Sequence, residues 1–529
     1  MLFTSYGFII FAAVLICIYY IFPRKYQWVL LLVASYFFYA FSGVENFVFM
    51  IATTMSCFFV AIAIETLKRR EDDYVATNKD LMDKEQRKVF RAKEKKKRFR
   101  ILLIGLVLNF GILAVLKYTG FVIRNMNSLL TFFGADTIRV PNLILPLGLS
   151  FFVFQSTGYL IDVYRGKTYA EKNPAKLALF VSFFPQLAQG PISRHGDLAP
   201  ELYKPHTFSA KNLKFGLQRI LWGYFKKLVI ADRILIAIKA MLSDTSTYKG
   251  AYVLLLILLY SAEIYADFTG GIDITIGIAE TMGIRVKENF NHPFSSRSTK
   301  EYWNRWHITM GSWFTDYVFY PLSVTKPMMK LSKWGRKHLG NAVGKRLPVY
   351  ISTIVTWFLT GLWHGAAWNF IVWGMLNCII ILISQELEPL YYRFGNRFPK
   401  LTSSYGYGCF CATRTFLLMG LVRSLDCYAD VPLTFRMWGS MLTTGNWAEC
   451  FTSGMFKLGL KAEDYVILGV AVLIVAVVAK ISSKCDLREK LMEKPTLSWV
   501  LGGTLLIVIL LFGAYSIGYD ASQFIYTIY

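Results

Sequence analysis

The sequence predicts an all-helical polytopic membrane protein, and three observations carry that prediction. The chain has 529 residues, of which 55% are hydrophobic, 16% aromatic and only 17% charged; soluble domains carry about 25% charged residues. Stretches 5–22, 26–42, 47–67, 101–116, 464–481 and 497–514 approach the roughly 20 apolar residues needed to span a bilayer. The basic residues that give a formal net charge of +24 cluster between such stretches, as expected of loops that orient a membrane protein and face anionic headgroups. In all, roughly ten to thirteen hydrophobic segments are expected, some too short or too interrupted to cross fully. The charge comes with no nucleic-acid-binding motif, so no nucleic-acid partner is expected.

The first segment, "MLFTSYGFIIFAAVLICIYYIFPRKY", lacks a basic leader and a small-residue cleavage site, and reads as a retained span. Charges then set an orientation. None precedes the first span, and Arg24 and Lys25 follow it; the next connection carries only Glu45. Residues 68–100, after the third span, hold fourteen Lys or Arg against seven Asp or Glu. The positive-inside rule therefore places the amino terminus outward and 68–100 in the cytoplasm, as a solvated helical or partly disordered loop. A docking surface for an acidic soluble partner is the alternative reading of that loop.

Further on, "LPLGLSFFVFQSTGYLIDVYRG" (145–166) and "FVSFFPQLAQGPISRHGDL" (180–198) mix Gly, Pro, Gln and Ser into an apolar background. Backbone broken at membrane depth has to be buried in protein or line a water-filled cavity, so both suggest an interior funnel or tunnel, with Gln155 along it. "YSAEIYADFTGGIDITIGIAE" (260–280) sets Glu263, Asp267 and Asp273 among apolar residues. Carboxylates there must face an interior, either tying helices together or lining a pathway. No internal repeat or inverted pair of halves is visible, which counts against a secondary transporter. The eight cysteines form no CxxC pair and no metal spacing, so neither a disulfide framework nor a metal site is expected.

Two stretches carry chemistry. "STKEYWNRWHITMGSWFTDYVFYPL" (298–322) embeds Arg305, His307 and Asp316 in a dense aromatic run. Read as one helix, it puts Trp303 and His307 on one face and Trp306 and Trp313 on another. "TWFLTGLWHGAAWNFIVWGMLNC" (356–378) holds His364 with no other ionisable side chain except Cys378, and an ionisable residue within the membrane is a functional candidate by default. Between them, Lys326, Lys330, Lys333, Arg336, Lys337, Lys345 and Arg346 either steer a phosphorylated or acidic acyl carrier or simply mark a cytoplasmic loop. His195, His206, His292 and His338 sit in polar or loop-like surroundings and read as surface residues.

These blocks, in order, resemble the membrane-bound O-acyltransferase family, in particular its bacterial branch that modifies cell-surface polymers. "NRWHITMGSWFTDYVFYPL" resembles that branch's RWH motif and the W/F–x–x–D–Y element after it, and "GLWHGAAWNFIVWG" the motif bearing its intramembrane histidine. "FFPQLAQGPISR" and "YADFTGGIDITIG" match further blocks, and the likeness runs to the closing "SIGYDASQFIYTIY". The resemblance implies a single membrane domain over 1–529, a ring of helices around a central funnel, a cytoplasmic loop at 68–100 and a C-terminal helical extension from about 385. It implies acyl transfer from a cytoplasmic thioester, acetyl-coenzyme A or an acyl carrier protein, to a hydroxyl, with no resident cofactor and no metal. His364 matches the catalytic histidine and His307 a second histidine that is asparagine elsewhere in the family; Trp363, Trp306, Asn304 and Arg305 are then candidate pocket walls, with Asp267 and Gln155 further along the tunnel.

That chemistry suits the residues. A hydroxyl attacking a thioester needs a base within hydrogen-bond reach, and a water-poor surrounding favours the neutral imidazole while protecting the thioester. Two acceptors compete: acetyl transfer to an exported polysaccharide, with an extracytoplasmic acetyltransferase partner, and D-alanyl transfer to teichoic acid. The tail "MGLVRSLDCYADVPLTFRMWGSMLTTGNW" favours the alginate-type branch, although that branch typically has Phe-Arg-Ala where this chain reads "VRSLDC". A channel or flippase, and a scaffold for a catalytic partner, are the non-enzymatic alternatives; both would tolerate loss of His364.

Overall fold

The computed structural model describes residues 3–187 and 189–515, and every regular element among them is helical; the closing "SIGYDASQFIYTIY" lies outside the described residues. The chain packs as two compact units, residues 1–213 with 278–286 and residues 214–277 with 287–529. The first contains α1 (Tyr6–Ile21), α2 (Gln27–Ala40), α3 (Phe47–Thr77), α4 (Lys84–Phe132), α5 (Leu149–Arg165), α6 (Pro174–Ser182) and α7 (His195–Tyr203). The second is built from α8 (Ala210–Tyr224), α9 (Asp232–Ser243), α10 (Ala251–Thr281), α11 (Thr299–Arg305), α12 (Ile308–Phe314), α13 (Lys326–His338), α14 (Asn341–His364), α15 (Trp368–Glu386), α16 (Tyr405–Tyr428), α17 (Val431–Thr443), α18 (Ala462–Ser482) and α19 (Pro495–Phe512). Among the described residues seven helices, α3, α4, α10, α15, α16, α18 and α19, are long and apolar enough to cross a bilayer. The protein is a multi-pass membrane protein, and the other expected segments are present as shorter or more polar helices.

In the first unit the charged stretch 68–100 is mostly not a loop. Residues 68–77 finish α3 and residues 84–100 begin α4, a 49-residue helix. At 1.5 Å per residue that is about 73 Å, more than twice the hydrocarbon thickness. Asp83 starts α4 with a capping box: its carboxylate accepts the Gln86 N–H at 2.7 Å, and the Gln86 side chain accepts the Asp83 N–H at 3.0 Å. Beyond the apolar stretch the two helices stay paired through Arg98–Glu71 (2.7 Å) and the stacked rings of Tyr74 and Phe90, 4.6 Å apart.

The two stretches expected to break at membrane depth differ. Residues 149–165 form an unbroken helix, because Gly148 and Gly166 lie at its ends, with φ of 70° and 72°, and punctuate it instead of interrupting it. Residues 180–193 do break. Helix α6 stops at Ser182, and every described residue from Phe180 to Ser193 is buried. Internal partners meet that backbone's needs, as they must away from water: Phe184 N–H donates to Ser35 Oγ (3.2 Å) and the Gln155 amide donates to the Phe180 carbonyl (3.0 Å).

The reading of His195 and His206 as surface residues is corrected here. Both are buried. His195 sits between the rings of Tyr159 (4.6 Å) and Phe180 (4.9 Å), and His206 closes a reciprocal bond with Gln27, whose side chain accepts the His206 N–H (2.8 Å) and donates to its carbonyl (3.1 Å). Their polar sequence neighbours concealed aromatic and amide partners distant in the chain.

In the second unit, α8 and α9 are joined by a wider, π-type stretch at Phe225–Ala231. It carries Lys226 and Lys227 towards α10, which approaches closely because glycine meets glycine: a Cβ at Gly223 would lie 2.6 Å from the Gly270 carbonyl oxygen, and one at Gly277 2.8 Å from that of Gly216. Lys227 reaches Asp267 (2.7 Å) and Asp232 (2.8 Å), Lys226 reaches Asp273 (2.6 Å), and Arg219 joins Asp273 (2.9 Å) to Glu288 (2.5 Å). Asp267 and Asp273 therefore tie α10 to its neighbour. Lys227→Met removes the cation that two buried carboxylates share. Its expected cost is about 3–5 kcal/mol, read as a lower thermal unfolding midpoint of the detergent-solubilised protein and less folded protein in membranes.

Candidate active site

The expected single helix through residues 299–314 is interrupted. Helix α11 ends at Arg305 and α12 begins at Ile308; between them His307 adopts a left-handed conformation, φ 48° and ψ 52°. Such geometry is uncommon for a residue with a Cβ and costs about 1–3 kcal/mol, so neighbours have to hold it. The segment 289–291 does so. Ile308 N–H donates to the Asn289 carbonyl and Asn291 N–H to the Arg305 carbonyl, both at 2.9 Å, replacing bonds that a continuous helix would have made. The Asn289 side-chain oxygen then meets the Thr309 N–H (3.0 Å), the Thr309 hydroxyl (2.8 Å) and His307 Nδ1 (3.2 Å).

This fixes the tautomer. A backbone N–H can point only at an acceptor, so the shared Asn289 atom is the amide oxygen, and Nδ1 of His307 donates to it. In the neutral ring the lone pair is therefore on Nε2. His307 is fully buried, and burial pushes its pKa down to about 3. This imidazole is neutral over the physiological range.

His364 is the last residue of α14. The crossing of α14 and α15 is close at Gly361 and Gly374, whose Cβ positions would fall against the backbone of the other helix, and a Cβ on Gly365 would overlap the Phe370 ring. The chain can thus turn tightly after His364 and return as α15. The imidazole is half-buried and lies against Trp363 (5.0 Å), Trp373 (4.6 Å) and Phe370 (6.4 Å).

Trp363 brings the two motifs together: its ring is 5.8 Å from His307 and 5.0 Å from His364. Trp306 is buried and backs His307 through Phe268, which is 6.2 Å from Trp306 and 4.9 Å from the imidazole. Trp303, expected beside His307, instead meets Trp357 (4.9 Å) and Trp373 (5.7 Å), because the break at 306–307 turns α11 away from α12. Asn304 is exposed, and Arg305 is engaged by Glu301 (2.6 Å) and Ser295 (2.8 Å). Asp267 lies in the ion-pair cluster with Lys227, and Gln155 belongs to the first unit. Three residues escaped sequence reasoning: Asn289, which carries no local signal; Trp373, one of several tryptophans in its run; and Arg423, within "VRSLDC". The basic run forms α13, where Lys326, Lys330, Lys333 and Lys337 follow one another at i, i+4, i+7 and i+11 along one exposed stripe.

Comparison with known proteins gives the same family at several levels. Residues 171–421 match the model of the membrane-bound O-acyltransferase family. The chain is 30% identical to the probable alginate O-acetylase AlgI of Azotobacter vinelandii, over 90% of this chain and 84% of that protein. It is 29% identical to the peptidoglycan O-acetyltransferase of Helicobacter pylori, over 72% and 68% of the two chains. With the teichoic acid D-alanyltransferase of Bacillus subtilis it shares 30% identity over 47% of this chain and 60% of the other.

The acceptor role of Asn289 is open to a graded test. Asn289→Ala deprives three donors of their acceptor at about 1–3 kcal/mol for each one left buried, whereas Thr309→Val removes a single hydroxyl bond. The thermal midpoint in detergent is expected to fall in the order wild type, Thr309→Val, Asn289→Ala.

Proposed function

The chain belongs to the membrane-bound O-acyltransferase family, and we propose that it moves an acetyl group from a cytoplasmic thioester to a hydroxyl destined for an extracytoplasmic polysaccharide. The observation that carries this reading is the placement of His307 and His364 against one indole, Trp363, each imidazole walled by aromatic rings. His364, the half-buried one, is the general base. It takes the proton of the acceptor hydroxyl as the oxygen attacks the thioester carbonyl carbon. The C–S bond breaks, the thiolate departs with the proton that His364 returns, and the products are an ester and a free thiol. His307, neutral and with Nδ1 held by Asn289, orients or polarises the reacting carbonyl. The surrounding rings keep water from the thioester.

The lysine stripe of α13 suits a phosphorylated or acidic donor such as acetyl-coenzyme A or an acyl carrier protein. The charge pattern supports a bacterial cell membrane location with the amino terminus outward and the α3–α4 tip in the cytoplasm. An extracytoplasmic acetyltransferase partner and a surface polysaccharide complete the proposed route. Acetyl is preferred to D-alanine because the alginate O-acetylase likeness spans 90% of this chain and the D-alanyltransferase likeness 47%.

The test is chemical. Ester-linked acetate and D-alanine are released from envelopes of cells with the intact gene, with a deletion, and with His364→Ala at equal membrane abundance. Acetate alone is expected to disappear in the deletion, and His364→Ala is expected to restore less than about a hundredth of it, the scale of a lost general base. Loss of D-alanine alone reverses the choice of acyl group, and full activity of His364→Ala removes the enzymatic reading.

A further inference from the structure

Helix α16 lies against both histidine motifs through four consecutive residues. Val422 and Leu425 form a buried cluster with Trp373, the ring 4.6 Å from His364. Leu425 also offers its carbonyl to the Asn369 amide (3.4 Å), and Ser424 accepts the Trp438 indole N–H (2.9 Å). Arg423 faces the other motif. Its guanidinium carbon lies 3.9 Å from the centre of the Trp306 ring, and Nη2 donates to the Tyr302 hydroxyl at 2.6 Å. Tyr302 and Trp306 stack at 5.8 Å with an interplanar angle of 11°, so the guanidinium holds two rings one helical turn apart. Trp306 is the residue immediately before the left-handed His307.

Arg423 also differs from the buried cations that serve packing. Lys226 and Lys227 each hold a carboxylate within 2.8 Å. Arg423 is 5% exposed; among the described residues no carboxylate lies within ion-pair distance of it, while the buried Glu263 and Asp426 feel its charge from further away, and its Nη1 is buried without a hydrogen bond. Its direct contacts are a planar stack and a single directed bond, both on the stretch of chain that delivers His307.

We propose that Arg423 is a positioning residue for acyl transfer: by clamping Trp306 and Tyr302 it holds the α11–α12 break that places His307, while the same turn of α16 seats Trp373 against His364. This rests on the acyl-transfer reading of the two histidines. The role needs arginine, because a lysine ammonium keeps the charge but supplies no flat face to stack on Trp306.

The test uses the full chain in cells lacking the native gene, with the initial rate of envelope ester-acetate formation divided by the amount of protein in the membrane. Arg423→Lys is expected to lose tenfold or more, on the order of what a displaced catalytic group costs, with an unchanged thermal midpoint in detergent. Tyr302→Phe, which removes one bond and keeps the stack, is expected to lose about threefold. The readout specific to positioning is coupling: in a His307→Asn background, whose rate is expected to be reduced but measurable, Arg423→Lys is expected to add less than a further twofold loss. A wild-type rate for Arg423→Lys, a loss matched by a fall in thermal midpoint, or losses that multiply in the double variant would each overturn the proposal. If Arg423→Lys does not accumulate, Tyr302→Phe decides, and a wild-type rate there overturns it. His364→Ala run alongside separates the two levels: its activity sinks the acyl-transfer reading and this inference with it, whereas its inactivity beside a fully active Arg423→Lys sinks this inference alone.

Discussion

The Trp363 indole touches both imidazoles, and the rest of the second unit is arranged so that it can. Each edge-to-face ring contact contributes about 0.5–1.5 kcal/mol beyond area burial, too little to hold a left-handed backbone at His307 on its own. The contacts come as a connected set instead: Phe268 and Phe290 against Trp306, Trp303 against Trp357 and Trp373, and Trp373 against His364. Large flat side chains with two rotatable bonds lose little entropy when fixed, so such a set locates two small rings without the long side chains that a polar network would need to immobilise.

The same unit treats its charges by a different rule. Lys226, Lys227 and Arg219 each end on carboxylates of α10 or its surroundings, which is how ionic groups survive at membrane depth. The close glycine-on-glycine approach of α8 and α10 makes those short distances reachable, and the π-type stretch at Phe225–Ala231 is what carries two successive lysines into the interior. Arg423 differs from these cations in its direct contacts, which are an indole face and a tyrosine hydroxyl.

Much of this was legible in the sequence, and what was missed has identifiable causes. Hydropathy and charge gave the helical class; the two histidine motifs were read as one site, and in the structure both imidazoles lie against Trp363. The assignment of Trp303 to the face of His307 failed because it assumed 3.6 residues per turn through a point where the helix stops; a left-handed histidine leaves no periodic trace. Asn289 lies 18 residues before its histidine, and an asparagine in a polar stretch is indistinguishable from a turn residue. His195 and His206 misled in the opposite sense, since their sequence neighbours are polar and their spatial neighbours are Tyr159, Phe180 and Gln27. In each case the missing information was a partner remote in the chain.

The two histidines are not held alike, and the difference bears on how they would divide the work in the proposed acyl transfer. His307 has no exposed surface, and Asn289 takes its Nδ1 proton, which leaves the enclosed Nε2 as the lone-pair nitrogen. His364 is half-buried at the end of a helix, beside a turn made tight by Gly365. Nε2 of His364 is itself enclosed by protein, so the proposed division of roles rests on how each ring is held: Asn289 pins His307 through Nδ1, which suits an orienting group, and His364, at the end of its helix beside the Gly365 turn, is the ring left for proton transfer.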